Sequence, residues 1–267
     1  MSDIKILVAT HKKYAMPMDD IYLPIHVGKE GKEDIGFQGD NTGENISNKN
    51  SNYCELTGLY WAWKNLDCEY IGMSHYRRYF TTQNTLKRLF GKREKIETIL
   101  NKEEILEYCK KFDVILPVKR NYYIETVWSH YGNAHYIKDL EETKKIIEEI
   151  YPSYTDSFNT VVNRKKIYLY NMFVMKKSWF DEYSEWLFNI LFELEKRTDM
   201  TGYDKYQQRI YGFISERLFN VWLEEKTNKV KELNVYNLEG TEWLGKVRKF
   251  ILRKLVGQKS ERRKLVK

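Results

Sequence analysis

Residues 40–80 read DNTGENISNKNSNYCELTGLYWAWKNLDCEYIGMSHYRRYF. Leu56, Leu59, Tyr60 and Trp63 recur at helical spacing and predict a helix over 52–66, after which the short apolar run 70–73 reads as a strand. Polar residues gather on either side. Asp40, Asn45, Ser47 and Asn50 precede the helix, and Ser74, His75, Tyr76, Arg77 and Arg78 follow the strand. α/β folds place ligand contacts in this way, outside the carboxyl ends of their strands. Adjacent arginines can clamp a phosphate bidentately, and Tyr or Trp rings can stack a base or sugar. The plainer alternative is a Tyr/Arg surface paired with neighbouring acids.

Outward from this stretch the pattern alternates. Residues 4–9 read as a buried strand ending in Thr10, His11, Lys12 and Lys13, and 21–27 as a further strand. Residues 28–51, rich in Gly, Asn, Asp and Lys, read as an extended loop. Helices are expected at 102–111, 138–150, 179–196 and 207–225, and strands at 113–117 and 167–175. Trp61 and Trp63 are assigned to the core. Alternating elements predict an α/β domain with a mainly parallel central sheet flanked by helices. Neither a repeat nor a Pro- or Ser-rich linker interrupts it, so one domain over 1–240 and a tail over 241–267 are expected.

Composition narrows the classes. Aromatic residues make up 15% of the 267 residues, with 21 tyrosines and 7 tryptophans, a surplus that lines sites for flat or polyhydroxylated ligands or fills Tyr-rich cores. Cys54, Cys68 and Cys109 are too few and too irregular for a disulfide framework or a zinc site, which suggests a reduced, cytoplasmic chain. Residues 1–14 lack the basic-then-apolar pattern of a signal peptide, and no window approaches the roughly 18 apolar residues that span a bilayer.

The net charge of +7 divides unevenly. Residues 246–267 hold ten Lys/Arg against Glu261, or +9, which leaves 35 minus 37, or −2, for residues 1–245. The body is therefore not a nucleic-acid binder. In the tail, Trp243, Leu244, Val247, Phe250, Ile251 and Leu255 recur at helical spacing between cations. That pattern suits an amphipathic helix on an anionic membrane surface, or else a helix docked on the body before a basic end.

Several chemistries are excluded by motif. GxGxxG, GxxxxGK[ST] and GxSxG do not occur, and His11, His26, His75, His130 and His135 lack HExxH spacing. His130 and His135, five apart in WSHYGNAHY, read as loop polar contacts rather than a metal pair.

NTGENISNKNSNYCELTGLYWAWKN followed by YIGMSHYRRYF, then DVILP, YNMFVMKK and RIYGFISERLFNVWL, resembles a family of glycosyltransferases. Its members are encoded in bacterial capsular, exopolysaccharide and O-antigen loci and were long described as a domain of unknown function. The resemblance covers roughly residues 3–225. It implies a GT-A-like fold and a nucleotide-sugar donor, with some members implicated in galactofuranose transfer from UDP-galactofuranose.

In a GT-A domain the nucleotide lies at the ends of the first strands, and an Asp-x-Asp motif usually holds a metal on the diphosphate. Here the strand 70–73 ends in SHYRR instead. Either Arg77 or Arg78 supplies the positive charge for the departing UDP, or His75 and a distant acid ligate Mn²⁺ or Mg²⁺. Thr10, His11 and Lys12 are assigned to uracil and ribose, and Asp40, Asn45 and Asn50 to ribose or sugar hydroxyls. Asn45 and Ser47 fit loop or helix-capping roles equally well. His75 and Tyr76 join the nucleotide-sugar contacts.

Inversion requires a base for the acceptor hydroxyl. Asp204, just before the last helix, and Glu216, within it, are the candidates; for Glu216 an ion pair with Arg217 or Arg209 is the alternative. His130, Asn171 and Arg209 are assigned to the acceptor. The expected partners are a UDP-sugar, a glycan or lipid-linked acceptor and the anionic inner leaflet. A non-catalytic carbohydrate-binding or polysaccharide-assembly protein is the other reading.

Overall fold

The computed structural model describes residues 3–82 and 98–238. The first strand, β1 (Ile4–Thr10), is almost continuously buried, as a strand covered on both faces must be. It pairs in parallel with β2 (Tyr22–His26) on one side and with β4 (Tyr70–His75) on the other. A two-residue strand, β3 (Gln38–Gly39), extends this parallel half beyond β2.

The other half is mixed, so antiparallel pairings join a sheet whose longest ladders, β1 with β2 and β1 with β4, are parallel as expected. β9 (Phe173–Lys176) runs antiparallel between β4 and β6 (Val114–Pro117), and β10 (Val230–Asn237) is parallel to β6. β5 (Arg78–Thr81) doubles back from β4 through the pair His75–Arg78 and completes the eight-stranded sheet seen among the described residues. Close contact of β4 with β9 explains Gly72, where an added Cβ would lie 2.9 Å from the Phe173 carbonyl oxygen. A separate ribbon pairs β7 (Arg120–Asn121) with β8 (Lys166–Ile167).

The helices are α1 (Asn50–Tyr53), α2 (Leu56–Asn65), α3 (Lys102–Cys109), α4 (Val127–Ala134), α5 (Ile137–Ile150), α6 (Thr155–Val162), α7 (Lys177–Arg197) and α8 (Ile210–Lys226). Much of the aromatic surplus is core. Tyr53, Tyr79, Tyr131, Tyr183, Tyr211 and Trp222 are fully buried, and Phe173 of β9 stacks on Phe219 of α8. Burial of an apolar side chain of this size contributes about 1.5–3 kcal/mol. Trp61 is buried and Trp63 stacks on Phe188, as expected.

Two expected elements are broken. The helix 52–66 is split at Cys54, whose φ of 54° stops α1 before α2 begins. The strand 167–175 is interrupted by residues 168–172, where Tyr170 and Asn171 have φ of 77° and 50°. α4, α6 and β10 were not predicted from the sequence; α4 and α6 are helices of only eight residues each. These elements belong to a compact unit of residues 1–236, except for the last residue of β10. The expected amphipathic helix of the tail lies outside the described residues. No helix among the described residues is long and apolar enough to cross a membrane.

Candidate functional site

The parallel pairing of β1 with β4 brings two strand ends together, with Ala9 opposite His75 and the Tyr76 N–H donating to the Ala9 carbonyl. Tyr76 is the centre of the first cluster. His11 and Tyr14 meet its ring edge-on, while Lys12 Nζ and the Arg77 guanidinium lie 5.2 and 4.9 Å from its centroid. Desolvation, and then the charges of Lys12, Arg77 and Lys32, push His11 below its ordinary pKa. Cationic side chains therefore gather at this end of the sheet. Thr10 is buried beneath it and donates its hydroxyl to the Lys12 carbonyl, shaping the turn.

The second cluster is built on the strained residues 170–171. Tyr170 donates its backbone N–H to Glu216 Oε1 at 2.8 Å, and its carbonyl accepts from His75 Nε2 at 2.5 Å. The Arg78 guanidinium lies 4.4 Å from the centroid of the Tyr170 ring. Asn171 donates through Nδ2 to Glu55 Oε1 and to Ser215 Oγ, both at 2.9 Å, while its buried Oδ1 has no partner among the described residues. Backbone held in such φ/ψ regions costs on the order of 1–3 kcal/mol per residue, and it persists where surrounding bonds over-determine it.

Glu216 forms the ion pair weighed against a catalytic role, with Arg217 at 3.0 Å, yet its side chain stays 20% exposed. Burial raises its carboxyl pKa, opposed by Arg217 and the Tyr170 N–H; the charge of Glu55 adds to the rise and Arg78 counters it. His75 is pushed down, first by burial, against the opposing charge of Glu55. A carboxyl whose pKa is raised, beside a second acid, an imidazole whose pKa is lowered and a guanidinium, can exchange protons with a hydroxyl.

Other expected residues are engaged elsewhere. Asp204 is exposed at the turn before α8, where Oδ1 accepts the N–H groups of Tyr206 and Gln207; it caps a turn. Asp40 is fully buried and fastens the 28–51 loop through Gly28 N–H, Lys29 N–H and Ser47 Oγ. Asn45 closes an Asx turn on the Ser47 N–H and donates to the Gly43 carbonyl. Asn50 donates to the Cys54 carbonyl and Thr57 Oγ1, supporting the helix break. None of these three needs a ligand to satisfy it.

Of the residues assigned to an acceptor, Asn171 lies in the carboxylate cluster. Arg209 donates to Cys54 Sγ at 3.1 Å and packs over Tyr206 and Phe213. His130 stacks on Tyr122 at 3.7 Å. No role was read from the sequence for Tyr170, Ser215 or Glu55. A Glu just past a helix-breaking Cys, and Tyr-Asn inside an apolar run, were the signals available. Among the described residues no three His, Cys, Asp or Glu side chains come together as metal ligands.

The chain belongs to a family described as a domain of unknown function, DUF4422, whose model matches residues 5–228. Among solved structures it is similar to the apo structure of WbbM, a bifunctional glycosyltransferase, with 35% identity and a TM-score of 0.80. The match covers 89% of this chain and 46% of that one, so the chain spans about half of its relative's length. No functionally curated protein matches it.

Proposed function

We propose that the chain is a nucleotide-sugar-dependent glycosyltransferase with a GT-A-like domain. It would move a sugar, with inversion, from a UDP-sugar to a growing cell-surface glycan or lipid-linked acceptor. UDP-galactofuranose is the donor favoured by the family resemblance, and capsular or exopolysaccharide assembly is the process. The observation that carries the reading is the joining of His75 and Glu216 through the backbone of Tyr170, beside Glu55 and Arg78.

Around that junction the chemistry divides by charge. His11, Lys12 and Arg77, with Arg78 on the adjoining strand, face the diphosphate and stabilise it as the anomeric C–O bond breaks. The acceptor hydroxyl oxygen attacks the anomeric carbon from the opposite side as its proton passes to ionised Glu216, and the electron pair of the broken bond leaves with UDP. Glu55 and Asn171 position sugar hydroxyls, the unpartnered Asn171 Oδ1 serving as acceptor. The basic tail would hold the enzyme at the inner face of the membrane.

Purified protein incubated with a UDP-sugar panel should release UDP, and Glu216→Gln should abolish that release while still binding UDP. A parent that binds no nucleotide and hydrolyses no UDP-sugar would leave a non-catalytic glycan-binding role instead.

A further inference from the structure

Residues 118–124 hold large apolar side chains in water: Val118, Tyr123 and Ile124 are 53%, 74% and 89% exposed. An isolated exposed apolar residue needs no explanation, but a cluster on one short segment does. The segment is held in place rather than loose. β7 pairs with β8, Tyr122 N–H donates to the Lys165 carbonyl at 2.8 Å, and Val127 N–H donates to the Arg164 carbonyl at 2.8 Å. At the tip, Tyr123 adopts φ of 61° with its N–H on Asn121 Oδ1, and Ile124 N–H closes onto the Tyr122 carbonyl. The strained turn thus presents Tyr123 and Ile124 outward at a fixed angle.

The same ribbon is cationic. Arg120, Lys165 and Lys166 are exposed, and among the described residues none of them pairs with a carboxylate. Lys119 lies over the Tyr168 ring. Of the acids nearby, Glu224 is paired with Arg164, whereas Glu232 and Glu125 accept from the neutral Tyr168 and Asn133. Apolar side chains at the tip with unpaired cations behind them match the layers of an anionic bilayer surface, acyl boundary first and phosphates next.

We propose that the β7–β8 ribbon is a docking surface for an anionic lipid bilayer, with Tyr123 and Ile124 entering the headgroup boundary and Arg120, Lys165 and Lys166 over the phosphates. The inner side of the ribbon borders the candidate site. Tyr122 stacks on His130, and its phenol pKa is raised first by burial, with Arg217 countering and Glu216 adding to the rise. A bilayer held here brings a lipid-linked acceptor to the carboxylate cluster. That delivery role rests on the transferase reading; the bilayer contact does not.

The test is the full chain carrying Ile124→Cys labelled with an environment-sensitive fluorophore, with the labelled parent correcting for Cys54. Vesicles of phosphatidylcholine with phosphatidylglycerol should shift the emission to the blue, and phosphatidylcholine alone should not. Each of Arg120→Gln, Lys165→Gln and Lys166→Gln should weaken partitioning about fivefold, with the effect fading at high salt. A label that stays in water while the protein sediments with vesicles would assign the contact to another segment and overturn the proposal. A blue shift that appears without vesicles and grows with protein concentration would also overturn it, in favour of a protein partner. UDP-sugar hydrolysis by the same variants should be unchanged. Failure of hydrolysis in every protein, parent included, with the blue shift intact, would sink the transferase reading alone.

Discussion

His75 and Glu216, 141 positions apart in sequence, are tied together through the backbone of one residue, Tyr170. Its carbonyl fixes the imidazole with Nε2 as the donor, and its N–H takes one oxygen of the carboxylate. The other oxygen pairs with Arg217.

Replacing the carboxylate should separate chemistry from binding. Glu216→Gln keeps the volume and an oxygen for the Tyr170 N–H but cannot take a proton. Transfer should fall by about 10²–10⁴-fold with UDP affinity unchanged, measured by UDP release and calorimetry. Equal losses in both would mean that Glu216 binds donor rather than serving as base.

The pH profile follows from the raised carboxyl of Glu216. The base works ionised, so the rate should rise with pH through a limb above the ordinary Glu value of 4.5. His75 is shifted downward, away from the raised carboxyl, so His75→Asn should lower the rate yet leave the limb in place. Disappearance of the limb in His75→Asn would make the imidazole the base.

His11 predicts a proton linkage on the donor side. Its pKa is depressed by desolvation and by Lys12, Arg77 and Lys32. A bound diphosphate offsets those charges and raises it, so binding should take up a proton and tighten as pH falls through the His11 range. Calorimetry in buffers of different ionisation enthalpy measures the uptake. Lys12→Ala and Arg77→Ala should each weaken UDP roughly tenfold, and more in low salt.

Asp40 offers the contrasting case of a residue that holds structure. Asp40→Ala would leave the N–H groups of Gly28 and Lys29 and the Ser47 hydroxyl without their acceptor. A loss of about 3 kcal/mol in urea unfolding is expected, with little change in UDP affinity of the folded protein. Unchanged stability with lost UDP binding would restore Asp40 to the ribose.

Chelation tests the charge assignment at the diphosphate. On the proposal that Lys12, Arg77 and Arg78 carry the diphosphate, transfer should survive EDTA. Complete loss, restored by Mn²⁺, would show that a cation is held after all.

Much of the sheet was legible in local pattern. Continuous apolar runs announce strands covered on both faces, so β1, β2, β4 and β6 were found within a residue or two. The same rule failed at 167–175, because an apolar run does not reveal two residues with positive φ inside it. The bonds that enforce that bend come from His75 and Glu216, far away in sequence. Asp204 is hard to read for a related reason, since a carboxylate before a helix looks the same whether it faces a ligand or caps a turn.

What the sequence determined by itself was the set of chemical types and their places at element ends: cations after β1 and β4, and a glutamate inside the last helix. Side-chain periodicity and strand burial are local properties, so they can be read without coordinates. The tertiary structure decided which of those residues meet. It set Glu216 on Tyr170, left Asp40 inside a loop clasp, and brought the unforeseen Glu55 to Asn171. The physical reason is that a buried polar group must find its partner wherever the packed chain places one, and that choice is made by the packing.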